Sequence, residues 1–429
     1  MRAGRFGSRV GAGAFGQRLR PAARQALNLM FPTTSDEGLA ASFLHDAAEV
    51  RGGNSYLGKL WRLPGLTFSR ASAATRINAE GKLETVGAGV LRLDHDPVTL
   101  APRGVLMEPG RTNLAVHSCA IGTAPWGATA IGSVVAPAVS LNDAQAPDAT
   151  MTGTRMVMPA VPAGAANGSR VGITVSGLNA GNYTFSVWLK GATGSEAVYI
   201  SATTDAINYV RRLCTLAVTW SRFDVQVSVP TNGAAYYFQI GTDLRDAGQA
   251  ATSAQTVYAW GAQIEAGSQP TSLVFTFAAT ATRAADILTV PTSALPFSAS
   301  EGTLYVECSR VFGPSTESAC PLSLFSPGRI EISQNSSQNV YSYSGGWSLG
   351  GPTLARGTTI RAAQAWAAAG AAMSVNGAAP ATGAVSSIPS VSQLRIGSSG
   401  AGFSWEGHIQ KIAYLPRRLS NPELQAITA

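Results

Sequence analysis

Residues 66–114 read LTFSRASAATRINAEGKLETVGAGVLRLDHDPVTLAPRGVLMEPGRTNL. Residues 68–72 have the character of a short strand, and 78–82 (NAEGK) carry turn chemistry, with Gly81 free to take positive φ. Residues 90–94 (VLRLD) alternate as a second strand, 97–103 turn the chain again, and 104–108 (GVLME) begin a third. On physical grounds this is a compact β module of short strands and tight turns, with no cleft.

Composition extends that reading to the rest of the chain. Its 429 residues suffice for two or three domains, each with its own core. Only 13% are charged, while Gly and Pro number 46 and 23, which favours a turn-rich all-β protein over a helical or α/β enzyme. The net charge of +7 is concentrated at the N-terminus, where Arg2, Arg5, Arg9, Arg18, Arg20 and Arg24 precede the first acidic residue, Asp36. The remaining body is nearly neutral and poorly suited to phosphate backbones, so no nucleic-acid partner is expected. The longest apolar run, 362–373, is too short and too rich in Ala to span a bilayer, and no membrane insertion is expected. Residues 1–35 form a basic tail in which 21–31 (PAARQALNLMF) has helical spacing. Arg18, Arg20, Arg24, Leu27, Met30 and Phe31 are its candidate docking residues.

Beyond residue 115 strand follows strand. In 182–190 (NYTFSVWLK), Tyr183, Phe185, Val187 and Leu189 share one face, and Thr184, Ser186, Trp188 and Lys190 the other. The spacing predicts an antiparallel sandwich of jelly-roll kind over 115–284. A second sandwich is predicted over 285–429. There 302–307 (GTLYVE) opens the domain, Asn376-Gly377 signals a hairpin, and Ser420-Asn-Pro-Glu423 has capping-box spacing for a short C-terminal helix. The Ala-rich run 362–373 is read as strand because strands flank it and Gly370 interrupts it.

The motifs FSRASAAT (68–75), RLDHDPVT (92–99), GVLME (104–108) and RTNL (111–114) resemble a module shared by phage fibre and head-spike proteins and by related proteins of gene transfer agents. Residues 182–190, with WGAQIEAG (260–267) and the exit TRAAD (282–286), resemble the carbohydrate-binding modules of such proteins. The TRAA of that exit echoes SRAS (69–72), which suggests that the two lie together. From Val375 to Leu424 the pattern resembles a concanavalin A-like, laminin G-like lectin sandwich. The resemblance implies an all-β chain in four parts. These are a docking tail (1–35), a small β module (36–114), a jelly-roll carbohydrate-binding-like domain (115–284) and a concanavalin A-like domain (285–429).

Chemistry-bearing motifs are few. There is no G-x-S-x-G, P-loop or H-E-x-x-H, and no Cys/His spacing for zinc. In Asp94-His95-Asp96, neighbouring side chains on a strand point to opposite faces, so the triplet cannot converge on a metal. Glu108 and Arg111 are spaced for a local charge pair, with Asn113 tying down the following loop. Cys308 and Cys320 are placed to face each other across a hairpin. No cofactor is expected. Calcium is compatible with modules of this kind, but no Asp-rich loop assigns it a site. Sugars stack their C–H faces on aromatic rings, which nominates Trp188, Tyr199 and Tyr237 in the first sandwich and Tyr341, Tyr343 and Trp347 in the second.

Taken with the resemblance, these features lead to the expectation of a non-enzymatic fibre or spike protein on a virion surface. Its N-terminus would attach to other virion structural proteins. Its sandwiches would bind host capsular or surface polysaccharide, in a homo-oligomer that gains by avidity. Two alternatives stand beside it: a capsule depolymerase or glycosidase carrying lectin-like modules, and a structural spacer without a ligand.

Overall fold

The computed structural model describes residues 65–163, 167–204, 209–243, 251–311, 318–400 and 402–429, together with the backbone of three short strands, Leu39–Ser42, Glu49–Gly52 and Gly58–Lys59. The candidate docking residues Arg18, Arg20, Arg24, Leu27, Met30 and Phe31 lie outside the described residues. All regular structure among the described residues is β, apart from a 3-10 turn at Thr292–Ala294 and one helix, Asn421–Thr428. The helix starts as its sequence demands. Ser420 Oγ accepts from the Glu423 backbone N–H, and the Glu423 carboxylate accepts from the Ser420 N–H at 2.7 Å.

The first sandwich is two five-stranded antiparallel sheets. One runs Gly127–Ile131, Gly168–Leu178, Ala234–Asp243, Ala197–Thr203, Tyr209–Thr215 in spatial order. The other runs Ala138–Ala144, Gly153–Met158, Gln255–Ala266, Gly181–Gly191, Ser221–Val229. The period-two pattern of Gly181–Gly191 sends Phe185, Val187 and Leu189 into the core against Val198, Ile200, Phe238 and Ile240. Each such side chain contributes about 1.5–3 kcal/mol when fully buried. The opposite face of that strand is covered as well. Thr184 donates to the Gly267 carbonyl at 2.9 Å, and Arg222 reaches Ser186 Oγ at 2.9 Å and the Thr271 carbonyl at 2.6 Å.

In the second sandwich, a ten-stranded sheet faces a seven-stranded one. Both sheets recruit strands from the segment expected to fold as a module of its own. Thr67–Ser69 pairs with Ile287–Pro291 at the edge of the seven-stranded sheet. Pro102–Met107 pairs with Gly407–Leu415 in the ten-stranded sheet and carries Leu93–His95 at its side. Residues 36–114 are therefore not a separate module where they are described. They complete the C-terminal sandwich, because strands of three to six residues cannot bury a core alone and Val105 and Met107 find one beside Leu304, Val306 and Trp405. The exceptions are Arg111–Asn113, which pairs with Ala281–Arg283 in a separate two-stranded sheet, and the hairpin Ala74–Ile77/Leu83–Val86, closed at Gly81 (φ +76°), where a Cβ would meet the Pro97 carbonyl at 2.7 Å.

The run 362–373 is strand, as expected: Thr359–Ala367 and Gly370–Val375 pair as a hairpin. Cys308 and Cys320 do not share a hairpin. Their strands, Glu301–Arg310 and Ala319–Pro327, belong to opposite sheets, and both thiols are free. Burial pushes the Cys308 thiol well above its ordinary range and that of Cys320 up to about 12.

Candidate functional site

Two side-chain clusters gather residues from distant parts of the sequence, and they differ in kind. The first lies at the seam between the sandwiches and is fully buried. Arg70, Arg92 and Arg283 surround Glu108 and Asp286. Arg70 donates to Asp286 at 3.0 Å, Arg92 pairs with both Asp286 and Glu108, and Arg283 pairs with Glu108. Ser272 adds its backbone N–H at 2.7 Å and its hydroxyl at 2.6 Å to Glu108, and the Glu108 N–H donates to Asp286 at 2.9 Å. Burial acts to raise the Glu108 pKa, but Arg283 and Arg92 reverse this and hold the carboxyl well below the usual range. Each of the four carboxylate oxygens accepts from a guanidinium, a hydroxyl or a backbone N–H, so none is left for a substrate. This cluster is a clamp that joins the SRAS, RLD, LME and TRAAD motifs.

The clamp corrects one pairing expected from spacing, and Asn113 ties down its loop as expected. Glu108 does not pair with Arg111, because Pro109 and Gly110 break the strand between them; Arg111 donates to Glu406 at 2.8 Å instead. Asn113 ties together more of the chain than its own loop. Its amide donates to the Ala262 and Val274 carbonyls and accepts from the Ala115 and Ile264 N–H groups. The Asp94-His95-Asp96 triplet diverges as strand geometry requires. Asp94 pairs with His408 at 2.7 Å, while Asp96 accepts from the Val98 and Thr99 N–H groups in the following turn. Among the described residues no group of three or more His, Cys, Asp or Glu side chains is placed to hold a metal ion.

The second cluster lies on the outer face of the first sandwich, on the sheet that contains Ala197–Thr203 and Ala234–Asp243. Register puts Arg170, Gly241, Tyr199 and Leu213 in one row across four strands. Gly172, Gln239, Ser201 and Arg211 form the next row, and Thr174, Tyr237, Thr203 and Tyr209 a third. The Arg211 guanidinium lies over the Tyr199 ring at 4.7 Å, and that of Arg170 over Tyr237 at 5.2 Å. Between the two stacks Gln239 Nε2 donates to Ser201 Oγ at 2.8 Å. Gly172 makes room for the Tyr237 ring, whose Cζ would stand 2.4 Å from an added Cβ. The result is a buried polar pair, Gln239 and Ser201, 1% and 2% exposed, between two half-buried phenol rings, each backed by a guanidinium. Rings of this kind stack on the C–H faces of a sugar, and Gln and Arg donors hydrogen-bond its hydroxyls.

Of the nominated aromatics, Tyr199 and Tyr237 therefore share this face. Trp188 does not. It lies on the other sheet, edge-on to Trp260 at 5.6 Å with Arg222 over its ring at 4.2 Å, filling the seam above Gly261. Trp347 is a core residue, only 7% exposed, stacked on Trp366 and donating its indole N–H to Ser342 Oγ at 3.1 Å. Tyr341 and Tyr343 point outward from the second sandwich, on the same strand face as each other. Arg170, Arg211, Gln239 and Ser201 were not nominated from the sequence. The signal for them is period-two alternation on neighbouring strands, which becomes useful only once the pairing register is known.

No family model matches the chain, and no curated protein matches it. Among solved structures it is similar in part to Trypanosoma rangeli sialidase in complex with the inhibitor DANA. The identity is 16% over 33% of this chain and 26% of that one, with a TM-score of 0.28. It is similar also to the CBM40 of Ruminococcus gnavus IT-sialidase bound to alpha2,6 sialyllactose (15%, 31% of this chain and 85% of that one, TM-score 0.26). A third is the enzymatically active domain of bacteriophage CBA120 tailspike protein 4 (10%, 35% and 21%, TM-score 0.27). The chain spans about a quarter of the length of the sialidases it matches.

Proposed function

We propose that this chain is a glycan-binding adhesin, a fibre or spike protein of a virion or phage-like particle that holds surface polysaccharide of a host cell. The observation that carries the binding reading is the outer face of the first sandwich, where two Arg-backed tyrosines, Tyr199 and Tyr237, flank the hydrogen-bonded pair Gln239–Ser201. A shallow sheet face of this kind gives weak single contacts. Repeated copies on one particle would turn them into firm attachment, since linked sites gain about 10²–10⁴ in avidity. The sequence motifs of the clamp and the basic tail support the particle assignment by resemblance.

The test is a binding assay of the purified chain against capsular and surface polysaccharides from a panel of bacteria, with reducing ends measured in the same samples. Binding that is lost in a Tyr199→Ala/Tyr237→Ala variant of unchanged fold, with no reducing ends released, is the expected result. Release of reducing ends would replace the adhesin with a depolymerase. Binding that survives the double substitution would remove this face from the function.

A further inference from the structure

The second sandwich carries a carboxylate that its own fold does not satisfy. Glu331 lies in the middle of the seven-stranded sheet, on the strand Arg329–Gln334, where Ile330 and Ile332 face the core and Glu331 and Ser333 face outward. Register sets Tyr343 on one side of Glu331 and Ser323 on the other, with Tyr341 opposite Ser333. The Glu331 side chain is only 1% exposed. Neither its Oε2 nor the neighbouring buried Ser333 hydroxyl makes a hydrogen bond of good geometry, although Ser333 lies close enough to Glu331 and Tyr341 to act on both. The nearest cation, Arg329, stops 3.9 Å away and lies instead over the Tyr343 ring at 4.4 Å.

A buried carboxylate without a donor is costly, and so is a buried hydroxyl without one. The clamp shows how this chain treats carboxylates whose role is structural, since every oxygen there is paired. Glu331 and Ser333 lie side by side without such pairing, on the sheet face that also carries Tyr341, Tyr343 and the 30% exposed Arg329 guanidinium. We propose that this face is a second glycan subsite, in which a pyranose ring packs against Tyr341 and Tyr343, displaces Arg329, and donates hydrogen bonds to Glu331. The donors would be sugar hydroxyls or the ammonium of an amino sugar, and Ser333 would complete the contact. The inference extends the adhesin reading to the second sandwich but rests on its own residues.

The experiment uses the full chain carrying Tyr199→Ala/Tyr237→Ala, so that titration reports on this face alone, with three probes: cellotriose, galactotriose and the trimer of glucosamine. Binding of at least one trimer is expected, weakened about 10–100-fold by adding Glu331→Gln, the range for a hydrogen bond to a charged group. Binding by the glucosamine trimer alone assigns an ammonium donor; binding by the neutral trimers assigns hydroxyls. Glu331→Gln is nearly isosteric and removes an unpaired charge, so the variant should fold, with a raised melting temperature as an independent readout. Binding of these probes by the unsubstituted chain but not by the double variant would leave the adhesin standing and overturn this subsite. Absence of binding by every form, or a crystal soaked with the trimers showing only an ordered water at Glu331, would also overturn it.

Discussion

Arg70 donates to Asp286 at 3.0 Å with neither side chain exposed to solvent, although 216 residues separate them in the chain. Asp286 also accepts from Arg92, and the same network reaches Glu108, Arg283 and Ser272. The segment before the first sandwich and the segment leaving it are thereby locked together; Thr67–Ser69 pairs with Ile287–Pro291 in the second sandwich, and Arg111–Asn113 pairs with Ala281–Arg283 in a small two-stranded sheet. Such a pair need not add net stability against a well-packed apolar substitute, but removing one partner strands the others in a dry site.

Asp286→Ala should therefore destabilise the whole chain by about 3–5 kcal/mol, because it leaves Arg70 and Arg92 short of a counter-charge. Denaturant unfolding followed by tryptophan fluorescence checks this. A loss below about 1 kcal/mol would mean that the seam contributes little.

Acid should act on the same network. The Glu108 carboxyl is held far below the usual range by Arg283 and Arg92 against the opposing effect of burial. In that case the unfolded chain takes up a proton at a higher pH than the folded one. The stabilisation is complete above the unfolded pKa, near 4.5, and is lost as pH falls towards the folded value, with a slope of about 1.4 kcal/mol per pH unit for one group. Stability curves measured from pH 6 down to pH 2 should fall below pH 5, and Glu108→Gln should flatten that part of the curve while lowering stability at pH 7.

Trp347→Ala should behave as a core truncation. Trp347 is stacked on Trp366 at 6.1 Å and bonded to Ser342. A loss of about 3–5 kcal/mol is expected from the cavity it leaves. Thermal unfolding measures it, and a variant that keeps full stability while losing sugar binding would contradict the inward orientation.

Gly172→Ala should disturb the first glycan face from below. The added Cβ would meet the Tyr237 ring at 2.4 Å and the Phe238 carbonyl at 2.7 Å. A stability loss of about 1–3 kcal/mol from overpacking is expected. Polysaccharide binding should fall further than in a control substitution elsewhere on the sandwich, and a binding assay beside a melting curve separates the two effects.

Much of the β architecture was legible because its signals are local. Period-two alternation in 182–190 sends Phe185, Val187 and Leu189 inward, the turn at Gly81 needs only its own φ, and the Ser420–Glu423 box needs only four residues. Even the likeness of SRAS to TRAAD held a true contact, since Arg70 and Asp286 meet. Which strands pair is a different matter. Thr67–Ser69, Leu93–His95 and Pro102–Met107 are short strands that any sheet edge could accept, and long-range burial beside Leu304 and Trp405, together with the buried charges of the clamp, decides that they join the C-terminal sandwich. The same holds for the candidate sites. A tyrosine at an alternating position is recognisable from sequence, but whether Trp347 faces the core, or whether Arg211 stands over Tyr199, depends on registers set across strands. Glu331 shows the limit most plainly. Nothing in the order of its neighbours distinguishes it from Glu108; only the packed structure sets two guanidiniums against one carboxylate and stops the nearest one 3.9 Å from the other.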